Sequence, residues 1–216
     1  RDEQFAYHKN SAPFAPNGQY LAYMHNMKAT GAWERHHQAG KTNAVTGRFF
    51  EPRPSEEFYD NFKDFHNIDN QIDDPLHHTK IKELKKELRR QQLKYFDSGL
   101  MPEEMRNRMI KEKKTTVYAF VRDPKLYPLP KYLDYADLAL TRDKKNLKTL
   151  TKELSSKDPV IRYWSVVGLL LLEKGAKPAI PALKKSLDDQ DEIPPLAAWA
   201  LYKAGERKLS EKWMLE

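Results

Sequence analysis

Apolar and polar positions alternate from Glu3 to His8, with Phe5 and Tyr7 on one side of an extended segment, and this period of two predicts a strand. Pro13, Pro16 and Gly18 then interrupt regular structure. Tyr20, Met24 and Met27 recur at helical spacing and predict a short helix over 19–27. A second helix is predicted through Trp33, His36 and His37, with Thr30 as its cap and Gly40 closing it. Pro52 and Pro54 hold the backbone extended, and Glu57-Phe58-Tyr59-Asp60 reads as a second short strand.

A long helix follows over 76–96. Ile81, Leu84, Leu88 and Tyr95 fall on one stripe among lysines and arginines, and Asp97-Ser98-Gly99 ends it. Pro102 with Glu103 and Glu104 marks the start of another helix, acids lying near the positive end of its dipole. Beyond Pro130 the pattern repeats. Leu147, Leu150 and Leu154 precede Asp158 as Ile180, Leu183 and Leu187 precede Asp191, an offset of about 33 residues that suits helical hairpins. Pro159 opens a helix carrying Ile161, Trp164, Val167, Leu170 and Leu171, Gly175 breaks it, and Pro178 opens its partner. Pro194 and Pro195 open the next helix, which Gly205 ends. A hairpin of this kind buries its apolar face only against a neighbour, so the units stack.

The pattern therefore predicts an α+β chain: a small antiparallel sheet with a long packing helix, then an all-α repeat region. The expected boundaries are 1–101, a connector over 102–129, and repeats over 130–216. The stripe Ile81, Leu84 and Leu88 should pack across the sheet, because neither element buries its apolar face alone. Lys85, Lys86, Arg89 and Arg90 should stay in solvent on the other side, and Trp33, Trp164, Trp199 and Trp213 should serve packing.

Composition narrows the chemistry. No cysteine is present, which excludes disulfides, thiolate metal sites and cysteine nucleophiles within these 216 residues. The most apolar stretch, Val166 to Leu172, is far shorter than the roughly 20 residues a membrane helix needs. The chain opens on Arg1-Asp2-Glu3, without the pattern of a signal peptide or an initiating Met, as a cut segment would. The net charge of +7 gathers between Pro75 and Thr115, which reads either as a solvated helix face or as a polyanion-binding one. Aromatic residues interleave with that charge only at Tyr95 and Phe96, so nucleic acid is not the expected partner. The pairs His36-His37 and His77-His78 are adjacent, which points their rings apart on a helix and suits no metal.

Two resemblances add to this reading. Asp158-Pro159-Val160-Ile161-Arg162-Tyr163-Trp164 looks like a HEAT repeat, in which an Asp-Pro turn starts a helix and the Arg reaches over the inter-repeat turns. Tyr20-Leu21-Ala22-Tyr23-Met24, Ala32-Trp33-Glu34, Ala39-Gly40-Lys41, Arg48-Phe49-Phe50, and above all Arg53-Pro54-Ser55-Glu56-Glu57-Phe58-Tyr59-Asp60 with Asp64-Phe65-His66-Asn67-Ile68-Asp69-Asn70 resemble the C-terminal subdomain of the sulfatases. That family carries a strand reading Glu-Leu-Tyr-Asp, a turn of the type Asp-Pro-x-Glu-x-x-Asn-Leu and a long helix. Here Phe58 replaces Leu and Phe65 replaces Pro, leaving the turn less rigid. The match spans about 1–102 and continues into Tyr127-Pro128-Leu129, as in long bacterial sulfatases resembling heparan N-sulfatases.

The resemblance implies hydrolysis of sulfate esters or sulfamates by a formylglycine made in a Cys/Ser-x-Pro-x-Arg motif beside calcium. Ser11-Ala12-Pro13-Phe14-Ala15 has the first two elements, but Ala15 stands where Arg is needed. The nucleophile, the calcium ligands and the large α/β sheet are thus expected upstream of Arg1, and the segment alone should be inactive, with no catalytic or metal residue and no cofactor of its own. By the same resemblance His8 and Lys9, at the end of the first strand, with Tyr20 and His25, would touch a sulfated carbohydrate substrate. The other implied partner is the protein's own N-terminal catalytic domain, in the periplasm or secreted, with no membrane contact. The alternative is a HEAT-type interaction module without enzymatic role.

Overall fold

The computed structural model describes residues 1–215, and its contacts divide the chain into two compact units, Arg1–Leu88 and Arg89–Glu216. The sequence pattern placed boundaries later, after 101 and 129. The architecture is α+β.

In the first unit, strand β1 (Phe5–Lys9) leads through a proline loop to helices α1 (Ala22–His25), α2 (Lys28–Gln38) and α3 (Ala44–Gly47). Strand β2 (Glu56–Asp60) returns antiparallel to β1, with Tyr7 opposite Phe58 and Lys9 opposite Glu56. Helix α4 (His78–Tyr95) follows, entered by a turn in which the Asp74 side chain accepts from the Leu76 amide. Phe58 is buried with Ile81 and Leu84 of α4, and Phe5, Tyr7 and Ile72 pack around them. This is the expected stripe on the expected sheet, except that Leu88 is only half-buried. Successive strand side chains face opposite ways, so Ala6 and Tyr59 are buried on the other face.

Three local expectations need correction. Thr30 does not cap α2: it lies inside the helix and is buried, and Met27 holds the capping position. Trp33 is not a core residue but 37% exposed. Arg89 is not free in solvent but half-buried, and it meets Asp134 at 2.6 Å, whereas Lys85 is exposed as expected while Glu56 on β2 draws its ammonium to 2.6 Å. Gly40 does close α2, at φ +68°, with the Lys41 amide reaching back to the His36 carbonyl.

The second unit is helical: α5 (Glu103–Glu112), α6 (Val117–Phe120), α7 (Leu129–Leu140), α8 (Leu147–Glu153), α9 (Pro159–Leu172), α10 (Ile180–Lys185), α11 (Ile193–Ala204) and α12 (Arg207–Leu215). Asp158 caps α9 by accepting from the Val160 amide, and the α9 core includes Val160, Ile161, Trp164 and the run Val166 to Leu172. Pro178 lies within a 3-10 turn, 173–179, and α10 begins two residues later with Pro181 in its first turn, a shift from the predicted start.

Cross-contacts fix the directions. Tyr132 and Lys131 reach Asp158, Tyr135 meets Ser165 at 2.9 Å, and Ala139 lies beside Gly168, so α7 and α9 run parallel. Arg162 meets Asp189 and Lys203 meets Glu173, so α9 and α11 also run parallel. Leu150 touches Gly168 while Lys144 touches Gly175, which makes α8 antiparallel to α9. At Gly168 a Cβ would stand 2.7 Å from Leu150 Cδ2, closer than packing allows, so only glycine lets the two helices approach this far.

Turns are tied across the unit. Arg162 Nε and one terminal nitrogen donate to the two carboxylate oxygens of Asp189, at 2.7 and 2.8 Å, and its other nitrogen donates to the Ser156 carbonyl. Arg108 of α5 grips Asp191 with a similar fork, and Trp164 Nε1 donates to the Leu100 carbonyl at 2.8 Å.

Candidate functional site

The four residues singled out by sequence fall into two pairs with different neighbours. His8 is exposed on β1, opposite Glu57, with its ring edge-on to Tyr59 at 6.0 Å between centroids. Lys9 is half-buried opposite Glu56, on the sheet face that carries Tyr7. Burial by itself would raise the Glu56 carboxyl, but hydrogen bonds from Lys85 and the Tyr7 hydroxyl, both 2.6 Å, outweigh it and hold the group below its ordinary value. The Tyr7 hydroxyl is pushed up by the same burial and by the carboxylate it donates to. Asn10, next in the chain, is buried and donates from Nδ2 to the Pro54 carbonyl and to Glu57, tying the end of β1 to the start of β2.

Tyr20 and His25 do come together. Tyr20 is 75% exposed, and its ring lies 4.6 Å from the His25 ring. His25 Nδ1 is 3.2 Å from the Leu21 carbonyl of its own turn, and Nε2 faces Glu34 at 3.4 Å. Leu21, Tyr23 and Met27 around this pair are exposed as well. One helix further, Trp33 stacks on Phe49 at 4.8 Å and meets Phe50 edge-on at 5.0 Å, while its Nε1 donates to the Thr46 carbonyl. His37 stacks on Phe50 and is held by Thr42 and Glu51. The result is a set of exposed aromatic faces beside an imidazole and a carboxylate. The exposed Tyr20 ring suits the apolar side of a sugar ring.

Sequence reasoning has Glu34, Asn70 and Arg48 only as members of motifs and gives none of them a role, whereas Glu34 gives His25 a partner. The Asn70 Oδ1 accepts from the Phe58 and Ile72 amides and its Nδ2 donates to the Glu56 carbonyl, and with the Gln71 amide donating to the Phe58 carbonyl it satisfies the outer edge of β2. The Arg48 guanidinium donates to the carbonyls of Asn67 and Ile68, at a turn where Asn67 has φ 53°. Position in a motif could have flagged Asn70, whereas the Glu34 contact depends on how α1 meets α2.

Among the described residues no group of three or more histidine, aspartate or glutamate side chains could hold a metal ion, and no helix is long and apolar enough to cross a membrane. Comparison with protein-family models, with curated proteins and with solved structures finds no match to this chain.

Proposed function

We propose that this chain is the C-terminal part of a sulfatase acting on sulfated glycans, a small subdomain that shapes the substrate site joined to HEAT-like repeats that serve as scaffold. The observation that carries the reading is the antiparallel pairing of Phe5–Lys9 with Glu56–Asp60 under the Ile81 and Leu84 stripe, because that order of strand, Glu-x-Tyr-Asp strand, turn and long helix is what the resemblance implied. The Asn70 contacts to β2 add to it, since the turn residue that the motif names performs a definite task there. Support for HEAT-like repeats comes from Asp158 as a cap and from Arg162 bridging two successive inter-helix turns. In this reading His8, Lys9, Tyr20 and His25 touch the carbohydrate, while a formylglycine and calcium belong to an N-terminal domain of the same protein, in the periplasm or outside the cell.

The test is the coding sequence upstream of Arg1, followed by expression of the longer product. The expected result is a Cys/Ser-x-Pro-x-Arg motif after an acidic pair, with turnover of an aryl sulfate or a sulfated glycan by the long chain and none by residues 1–216. An upstream region without that motif, or turnover by the 216-residue chain itself, sinks the proposal. In that event the exposed aromatic set on α1 and α2 and the stacked hairpins favour an interaction module.

A further inference from the structure

We infer that the end of the second unit at which α7, α9 and α11 finish is a binding face for a linear sulfated polysaccharide, separate from the residues assigned to substrate above. The inference takes the identity of the polyanion from the proposed function; the face itself is derived from geometry and charge. Because α7, α9 and α11 run parallel in that order, the turns that follow them form a row. Lys144 packs against Gly175, which joins the first turn to the second, and the Lys203–Glu173 pair joins the second to the third. With neighbouring helices about 8–10 Å apart, the row is roughly 20 Å long.

Lys144, Lys145, Lys174, Lys177, Arg207 and Lys208 stand along it, all exposed. The two ends of the unit use their cations differently. At the opposite end Arg108, Lys131 and Arg162 are each committed to an aspartate of the turns. Along the row, Glu173 is bound to Lys203 and Glu206 to Lys184, and the Asp143 side chain accepts from the Lys145 amide. None of the four lysines 144, 145, 174 and 177 forms an ion pair with a described residue. Lys144 and Lys145 lie in the last turn of the 3-10 helix before α8 and Lys177 in the last turn of the one before α10, while Lys174 follows the end of α9, and Arg207 and Lys208 follow the end of α11 and open α12. A row of exposed cations without carboxylate partners fits a ligand with a row of anions.

A sulfated polysaccharide fits better than nucleic acid. The row presents turns instead of a helix or ribbon that enters a groove, and Tyr202 beside it is half-buried and already faced by Arg207 at 5.3 Å, which makes it a poor platform for bases.

Titration of the 216-residue chain with heparin, with N- and O-desulfated heparin and with duplex DNA, over a series of salt concentrations, tests this. The expected result is salt-dependent binding of heparin, none of the desulfated chain, and weaker binding of DNA. Lys144→Glu, Lys145→Glu and Lys177→Glu together should raise the heparin dissociation constant at least about tenfold and flatten the dependence of log K on log salt, by roughly one per contact removed. The pair Lys82→Glu and Lys86→Glu, on the exposed side of α4, should change it less than about twofold by the same logic. If circular dichroism shows the triple Glu variant unfolded, the triple Gln variant replaces it, with the same expected direction. The inference is overturned if heparin does not bind, if the α4 pair loses as much as the triple variant, or if DNA binds as tightly as heparin. The catalytic proposal stands or falls on the upstream motif and on turnover, so failure of one is distinguishable from failure of the other.

Discussion

Glu56 shows how a single side chain can be assigned to structure in place of chemistry. A carboxylate with a lysine and a tyrosine hydroxyl at 2.6 Å looks like acid-base machinery, yet its partners come from the adjoining strand and the helix packed on it, and together they fasten β2 to β1 and α4. The folded state holds this carboxyl below its ordinary value, so the stability it lends is complete above the unfolded value, near about 4.3, and fades as pH falls through the folded one. Unfolding of wild type and Glu56→Gln in urea should therefore show a stability gap at neutral pH that narrows below about pH 4. A gap that does not change with pH would remove the carboxylate from this role. Arg162 and Lys131 offer a second comparison. For Asp189, burial raises the carboxyl but the Arg162 fork outweighs it, and both partners are largely covered, whereas Lys131 is 58% exposed. Arg162→Met is expected to cost about 2 kcal/mol and Lys131→Met under about 1 kcal/mol. Denaturant midpoints that rank them the other way would refute the assignment.

At the scale of elements, α9 concentrates the packing of the second unit. Trp164 is 1% exposed and ties its indole to Leu100, so Trp164→Ala should destabilise the unit by about 3 to 5 kcal/mol in equilibrium unfolding. An effect below about 1 kcal/mol would mean that the helix face is misassigned. Gly168→Ala sets two effects against each other. Alanine gains up to about 1 kcal/mol of helix propensity, but the added methyl meets Leu150 at 2.7 Å and the backbone of Ala139 at 3.3 Å, and overpacking of that kind costs about 1 to 3 kcal/mol. Net destabilisation is the expected outcome, and a stabilised variant would show that α8 moves away at little cost. These elements were largely legible beforehand. Asp158 with Pro159 announced the start of α9, and the spacing of Ile81 and Leu84 announced which side of α4 meets the sheet. What periodicity could not supply was the partner of a charged residue. Lys85 lies on the polar side of its helix by pattern, and only the strand that passes beside it, carrying Glu56, gives its ammonium a partner at 2.6 Å. The same holds for the candidate site: Tyr20 and His25 were named through the resemblance, while the Glu34 contact and the exposure of Trp33 follow from how short helices meet.

For the molecule as a whole, burial is uneven. Eleven of the fourteen residues of α9 are buried, whereas Thr30 alone is buried in α2. Amide hydrogen exchange read by mass spectrometry should be slowest in Pro159–Leu172 and ~100-fold or more faster in Lys28–Gln38, because opening a segment with few buried contacts costs little. Equal protection in the two would contradict this distribution of stability. The hydrogen bonds that hold 97–112 have a different consequence, one of timing. Leu100 waits for a tryptophan 64 residues later and Arg108 for an aspartate 83 residues later. A growing chain that has just completed α8 has made neither partner, and the Arg108 fork on α5 can close only when α11 is about to be synthesised. Long waits of this sort slow folding and lengthen exposure to other chains. Premature termination within 160–190 should accordingly yield a product that aggregates, even though most of its helices are already encoded.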